Sequence, residues 1–282
     1  MPSTNIAVSH SDTGFVTAEV TRAERISPSF VRVTVAGEEL AGWRHLGFDQ
    51  WFRLAIPVAG ESTRFDRLSK RFDMRGYLRY LTLPKATRPA IRNYTVREFR
   101  RAGDSGDSSG DSGRSGGELD IDFVVHGDDG SPGSGIAGPW AASLPLGARV
   151  ALIDQGCGYR PVEGARRVVL AGDESALPAV LGILRDLPRD VIGEAIIEVP
   201  DAADEQPHEA PAGVEVRWIT RAHGAAIGEA ALAALRTTGE WDEPVSAFVA
   251  GEQRLASGGR RFLVNDRGLP KNDVDFCGYW RA

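Results

Sequence analysis

The chain has 282 residues, 42% apolar and 26% charged, with a formal net charge of −6. That length suits two domains with separate cores, and the composition is that of a folded chain rather than a disordered one. The acidic balance argues against a general binder of nucleic acid or anionic membrane, which needs a basic footprint. Two cysteines, Cys157 and Cys277, stand far apart and in no CxxC or Cys/His cluster. Zinc, iron–sulfur and disulfide frameworks are therefore not expected, and no metal ligands are predicted. The opening MPSTNIAVSHSDTG lacks a basic start and an apolar core, and no apolar run is long enough to span a bilayer. A cytoplasmic enzyme without an integral membrane segment is the expectation.

Phe15–Val20 and Phe30–Val35 alternate apolar and polar side chains, which predicts strands. Gln50–Pro57 (QWFRLAIP) is a third apolar run, and Arg92–Phe99, Leu119–Val125 and Arg149–Ile153 continue the pattern. Short strands with Gly/Pro turns predict a small antiparallel barrel over residues 14–160. Inside it, Ala102–Gly117 (AGDSGDSSGDSGRSGG) is of low complexity. Such residues bury too little area to offset ordering entropy, so a mobile hairpin loop is expected. A phosphate-cradling glycine loop would open onto a helix, whereas this one opens onto Leu119–Phe123.

The second half changes period. Arg167–Gly172 reads as a buried strand, followed by a helix over Asp173–Leu187 with Leu177, Val180, Leu181, Leu184 and Leu187 at helical spacing. Asp173 or Ser175 is its expected N-cap, Pro178 falls in the first turn, and Pro188 ends it. Strands Glu194–Val199, Val214–Thr220, Ala247–Ala250 and Val274–Tyr279 alternate with helices Ala225–Leu235 and Arg254–Val264. This predicts a mostly parallel α/β sheet over residues 165–282. A strand-rich barrel followed by an α/β sheet is one arrangement of flavin reductases.

Arg92-Asn93-Tyr94-Thr95 supplies a cation, a flat ring and a hydroxyl, the types that a flavin nucleotide needs at its pyrophosphate, its isoalloxazine and N5. Taken alone, the tetrapeptide also suits an ordinary strand. Gly172–Pro178 lies between strand and helix, where backbone N–H groups and the helix dipole favour an anion. The Gly-x-Gly-x-x-Gly fingerprint is absent, which disfavours a standard Rossmann dehydrogenase. No Ser/His/Asp set accompanies the scattered histidines.

With these motifs in order, the chain resembles the siderophore-interacting protein family of flavin reductases. The resemblance rests on DQWFRLAIP (Asp49–Pro57), RPAIRNYTVR (Arg88–Arg97), DFVVHG (Asp122–Gly127), GIAGPWA (Gly135–Ala141), GDESALP (Gly172–Pro178), Ala250-Gly251-Glu252 and GYWR (Gly278–Arg281). It implies an FAD-binding barrel followed by an NAD(P)H-binding domain, as in ferredoxin–NADP reductases, and the transfer of electrons to a ferric siderophore. By the same resemblance Arg92 contacts the FAD phosphates, Tyr94 stacks on the flavin, and Thr95 sits near N5. His126 with Gly127 touches the nucleotide, Ala137 and Gly138 offer N–H groups to the pyrophosphate, and Trp140 packs nearby. Asp173, Glu174, Ser175 and Ala176 form the nicotinamide turn, with Glu252, Tyr279 and Trp280 at neighbouring strand ends. Arg254, Arg260 and Lys271, with Arg261 and Arg267, form a basic cluster suited to an anionic siderophore, or simply a solvated face. NADH, NADPH and ferredoxin all remain open as electron sources. Glu198 and Asp201 favour a free ribose hydroxyl, and Arg217 and Arg221 oppose that.

Overall fold

The structure, a computed structural model, describes residues 4–6, 14–58, 63, 65, 78, 80–85, 87–103, 116–125, 135–241 and 243–282. The chain divides into two compact units: Ser9–Leu46 with Gln50–Gly156, and Met1–Val8 with Gly47–Asp49 and Cys157–Ala282.

The first unit is one antiparallel sheet of seven strands: β1 (Phe15–Ser27), β2 (Phe30–Ala36), β3 (Trp51–Ile56), β4 (Ala90–Thr95), β5 (Glu98–Arg101), β6 (Gly117–Val124) and β7 (Arg149–Gly156). Their order is β4-β3-β7-β1-β2-β6-β5. The expected strand Arg92–Phe99 is thus two strands on opposite edges of the sheet. Val96 N–H donates to Gln50 O beside β3 (2.8 Å), and Arg97 N–H donates to Asp120 O in β6 (3.0 Å). Two residues therefore link the edges, and the sheet curls barrel-fashion without a ladder between β4 and β5. Residues 104–115 of the expected loop lie outside the described residues. The flanking strands pair as a hairpin, Arg101 opposite Gly117.

Alternation sorts the two faces of this sheet. Leu119, Ile121 and Phe123 of β6 join Val33, Phe52, Leu54 and Leu152 in the core. Asp120 and Asp122 face the other way, yet both are buried. Arginines cover them: Arg32 grips Asp122 through two bonds (2.7 and 2.8 Å), and Arg100 grips Asp120 likewise (2.7 and 2.8 Å). A short helix, α1 (Ala137–Ala142), packs its Ala137 and Ala141 into the core.

The second unit is a parallel sheet of β8 (Arg167–Gly172), β9 (Ile192–Val199), β10 (Gly213–Thr220), β11 (Val245–Glu252) and β12 (Val274–Trp280), ordered β10-β9-β8-β11-β12. Its helices are α2 (Leu177–Asp186), α3 (Glu229–Arg236) and α4 (Gln253–Arg261), the last running on into a wider π turn, Phe262–Asp266. β11 is buried along its whole length, as expected for a strand covered on both faces. The chain lays β9 and β10 on one side of β8, then β11 and β12 on the other. The direction of travel reverses between β8 and β11, and a crevice at the carboxyl ends of such strands is where doubly wound sheets take nucleotides.

Two helix starts differ from expectation. Neither Asp173 nor Ser175 caps α2, whose N-cap is Ala176 without a side-chain bond. The Asp173 carboxylate instead takes the Ser175 N–H and hydroxyl (2.8 and 2.5 Å) and the N–H of Glu252 on β11. Helix α3 begins at Glu229 rather than Ala225, because Glu198 of β9 accepts the N–H groups of Gly228 (2.8 Å) and Ala231 (2.9 Å). That cap comes from a distant strand, so no local signal marks it.

Helix α2 is buried on all sides from Leu177 to Leu184. Its outer side is met by the Gly47–Asp49 tripeptide, with Phe48 N–H on Asp186 Oδ2 (2.5 Å). A Cβ on Gly182 would lie 2.1 Å from Phe48 O, a backbone atom that cannot swing aside. Gly182→Ala is expected to cost about 1–3 kcal/mol through overpacking. A urea midpoint unchanged from the parent would show that the tripeptide yields freely.

Candidate functional site

Strand β4 presents the first cluster. Its register sets Tyr94 opposite Phe52 and Arg92 opposite Leu54, so both share the inward face, while Thr95 stands on the other with Asn93. Tyr94 is half-buried and Thr95 buried, whereas Arg92 is exposed and donates Nη1 to Ile91 O (2.8 Å). The Tyr94 ring lies 4.3 Å from that of Phe123, which lies 5.6 Å from that of Trp140. These three rings make an aromatic row across β4, β6 and α1. Burial pushes the Tyr94 phenol well above its ordinary range, against the pull of Arg92, so it stays a neutral flat ring. At the start of α1, a Cβ on Gly138 would stand 3.3 Å from Val124 O, so the helix is seated closely on β6. His126 and Gly127 lie outside the described residues, as does the turn at residues 128–134. An exposed guanidinium and a partly exposed phenol backed by aromatics fit the pyrophosphate and ring of a flavin nucleotide.

The second cluster frames the crevice of the parallel sheet. Asp173 and Glu174 follow β8 and are buried. Glu174 is gripped by Arg221 through two bonds (2.8 and 2.9 Å), and Arg221 also reaches Glu198 (2.9 Å). Ser175 is half-buried and Ala176 buried at the turn into α2. Across the reversal, Glu252 ends β11 beside Trp280 of β12. Tyr279 and Trp280 are both half-buried. Glu198 is buried and accepts from Gly228, Ala231 and Arg221. Asp201 caps the turn Ala202–Asp204, accepting Ala203 N–H (2.8 Å), and Arg217 pairs with Glu194 (3.3 Å).

The basic residues divide by environment. Arg254 and Lys271 are exposed, while Arg260 is half-buried with its guanidinium over the Phe276 ring (4.9 Å). Arg267 lies over Phe262 and Trp241 (5.1 and 5.6 Å) and donates to Thr238 O, so it braces the π turn. Sequence reasoning gave no role to Arg88, whose guanidinium stacks on Tyr80 (5.4 Å) and binds Leu81 O and Leu83 O (3.0 and 2.8 Å) just ahead of β4. Its only sequence signal was its place in RPAIRNYTVR. Among the described residues no helix is long and apolar enough to cross a membrane, and no group of three or more His, Cys, Asp or Glu is placed to hold a metal ion.

Buried carboxylates give this unit a pH signature. Burial lifts Asp49, which accepts Gly158 and Tyr159 N–H groups (3.0 and 2.9 Å), to about 6. Burial, helped by the charge of Glu174, lifts Asp173 to about 7. Above about pH 4 the unfolded chain has released these protons while the folded chain keeps them. Their stabilising share is full below that value and is lost as pH rises through the folded values, on the order of a few kcal/mol. Urea midpoints of the parent should therefore fall from about pH 5 to about pH 8, and Asp49→Asn should fall less. Parallel profiles would remove Asp49 from this account.

A curled antiparallel sheet followed by a five-stranded parallel sheet is the ferredoxin-reductase-like fold. The cytochrome b5 reductase domain of Ulva prolifera nitrate reductase shares it at a TM-score of 0.62 and 12% identity, over 96% of this chain and 100% of that one. The profile of the siderophore-interacting FAD-binding domain matches residues 19–157, and that of the siderophore-interacting protein matches residues 165–282. The chain belongs to the siderophore-interacting protein family. A siderophore utilization protein from T. fusca is 32% identical, with a TM-score of 0.72 over 98% of this chain and 95% of that one. Ferric vibriobactin reductase ViuB of Vibrio cholerae is 29% identical over 261 residues, 92% of this chain and 87% of the relative. The NADPH-dependent ferric-chelate reductase of Escherichia coli is 25% identical over 277 residues, 96% and 94% of the two chains.

Proposed function

We propose that the chain is an FAD-dependent reductase of ferric siderophores, fed by NADH or NADPH in the cytoplasm. The observation that carries this reading is Arg92 standing exposed beside Tyr94, with Phe123 and Trp140 behind the phenol, inside a domain matched as FAD-binding. When bound, FAD would supply the redox chemistry, linking a two-electron hydride donor to one-electron ferric acceptors, whose Fe(II) products bind hard oxygen ligands less tightly.

The protein's part is binding and orientation. Arg92 holds the pyrophosphate, joined by backbone N–H groups at Ala137 and Gly138. Tyr94 fixes the ring plane, Thr95 offers a hydroxyl near N5, and Trp140 keeps the aromatic row rigid. The turn at Ser175 and Ala176, with Asp173 and Glu174 bracing it from within, receives the nicotinamide nucleotide beside Glu252, Tyr279 and Trp280. Arg254, Arg260 and Lys271 attract an anionic ferric siderophore.

The test is optical. Protein supplied with FAD should show flavin bands near about 370 and 450 nm. Anaerobic mixing with NADH or NADPH should bleach them, and ferric siderophore should restore them with formation of Fe(II). Bleaching by reduced ferredoxin alone would replace the donor. Siderophore binding by a colourless protein that oxidises no nicotinamide would leave a binding module and overturn the enzyme.

A further inference from the structure

We propose that the nicotinamide donor is NADH rather than NADPH, and that Asp201 makes the choice by accepting the 2′-hydroxyl of the adenosine ribose. This rests on the reading that the crevice at the carboxyl ends of the parallel strands takes a nicotinamide nucleotide, and it names which one.

Asp201 stands where such sheets read a ribose. In doubly wound sheets an acidic residue past the second strand bonds that hydroxyl, and an arginine nearby takes a 2′-phosphate instead. β9 is the second strand of this sheet in chain order. It runs two residues, Glu198 and Val199, past Ile197, the register partner of the last β8 residue, Gly172. Asp201 follows after Pro200 and is exposed. The Val199 carbonyl accepts Arg221 N–H from the end of β10 (2.9 Å), and the Arg221 guanidinium holds Glu174 in the turn after β8 (2.8 Å). The ends of β8, β9 and β10 are thereby tied together, with Asp201 two residues past the tie. Its Oδ1 accepts Ala203 N–H (2.8 Å), and its own N–H donates to Asp204 Oδ2 (3.2 Å), so the turn fixes where the carboxylate stands. A carboxylate has about four acceptor sites, so capping leaves room for ribose hydroxyls.

The charges around this edge oppose a phosphate, which recruits arginine or lysine. The connection from β9 to β10, residues 200–212, carries Asp201, Asp204, Glu205 and Glu209 and no Lys or Arg. The connection from β10 to α3, residues 221–228, carries one, Arg221, beside the exposed His223. Both terminal nitrogens of Arg221 are engaged, Nη1 by Glu174 and Glu198 (2.8 and 2.9 Å) and Nη2 by Glu174 (2.9 Å). Turning that guanidinium to a phosphate would strand two buried carboxylates. Arg217, within β10, is paired with Glu194 (3.3 Å). A ribose hydroxyl meets an acceptor here, whereas a phosphate dianion meets like charge, and discrimination draws on both the attraction and the repulsion.

The experiment uses the full chain loaded with FAD and follows anaerobic bleaching against NADH and NADPH concentration at low salt. NADH should half-saturate the reduction at about one-tenth of the NADPH concentration or less, the scale of a charge-assisted hydrogen bond exchanged for a repulsion. Added salt should narrow the gap by screening the phosphate. Asp201→Asn keeps a good capping side chain, so its urea midpoint should match the parent. It should raise half-saturating NADH about threefold to tenfold and lower that of NADPH, with limiting rates little changed. A merely structural role would move both donors in the same direction. Reoxidation of dithionite-reduced flavin by ferric siderophore should be unchanged. A parent that takes NADPH as well as NADH, or better, overturns the inference while leaving the donor reading intact. So does an Asp201→Asn protein with the parental ratio of the two donors. A parent bleached by neither nicotinamide overturns both. If Asp201→Asn fails to fold, Asp201→Ser, which also caps, takes its place with the same outcomes.

Discussion

Arg92→Ala is expected to weaken FAD binding roughly tenfold to a hundredfold, the loss of a charge-assisted contact to phosphate. The fold should survive, because the Arg92 guanidinium is exposed and donates to the carbonyl of its own neighbour, Ile91. Titration of flavin-free protein with FAD, followed by quenching of flavin fluorescence, measures the change directly. Arg92→Lys should recover part of the affinity, since it keeps the charge but not the planar fork. Rising salt should weaken the parent more than the alanine variant. Tyr94 makes a poorer first test: its ring packs on Phe123, so truncation mixes lost stacking with lost core. An Arg92→Ala protein that binds FAD like the parent would place the phosphates elsewhere.

Arg221→Ala should produce the largest loss of stability, about 3–5 kcal/mol. The side chains of Glu174 and Glu198 are 1% and 0% exposed, and Arg221 is the cation between them at 2.8 and 2.9 Å. Its removal strands Glu174 without a counter-charge at the turn into α2. Glu198 keeps its bonds to Gly228 and Ala231 but loses its ion pair. Arg221→Lys should lose less, because one ammonium cannot serve both carboxylates with the same fork. Urea unfolding of the second unit checks this. A loss under about 1 kcal/mol, the range of exposed pairs, would mean that water reaches the network.

The contrast between these two arginines shows what was legible in the chain. Arg92 announced itself through its strand neighbours Tyr94 and Thr95, all within four residues, and β4 places them as alternation requires. Arg221 looked like a cation opposing Glu198 at a ribose. It is instead the partner of Glu174 and Glu198, from strand ends 47 and 23 residues away. Sequence spacing carries no mark of that pairing. Likewise Asp173 reads as a helix cap, because Asp before an apolar periodic run is the usual signal. Its carboxylate instead joins Ser175 in the turn to the N–H of Glu252, which arrives from β11 79 residues later.

By itself the sequence determined the change of period along the chain, the hydrophobic alternation of β1, β2 and β6, the buried runs of β8 and β11, and the motif order that marks the family. These are short-range properties, set by side-chain period and by neighbours along a strand or helix. Only the tertiary structure decided that Arg92–Phe99 splits between two edges of one sheet, that Phe123 and Trp140 stand behind Tyr94, and that Asp173, Glu252 and Trp280 meet at one crevice. Each depends on which strand lies beside which. That choice is made by burial summed over the whole sheet, and no local window of residues contains it.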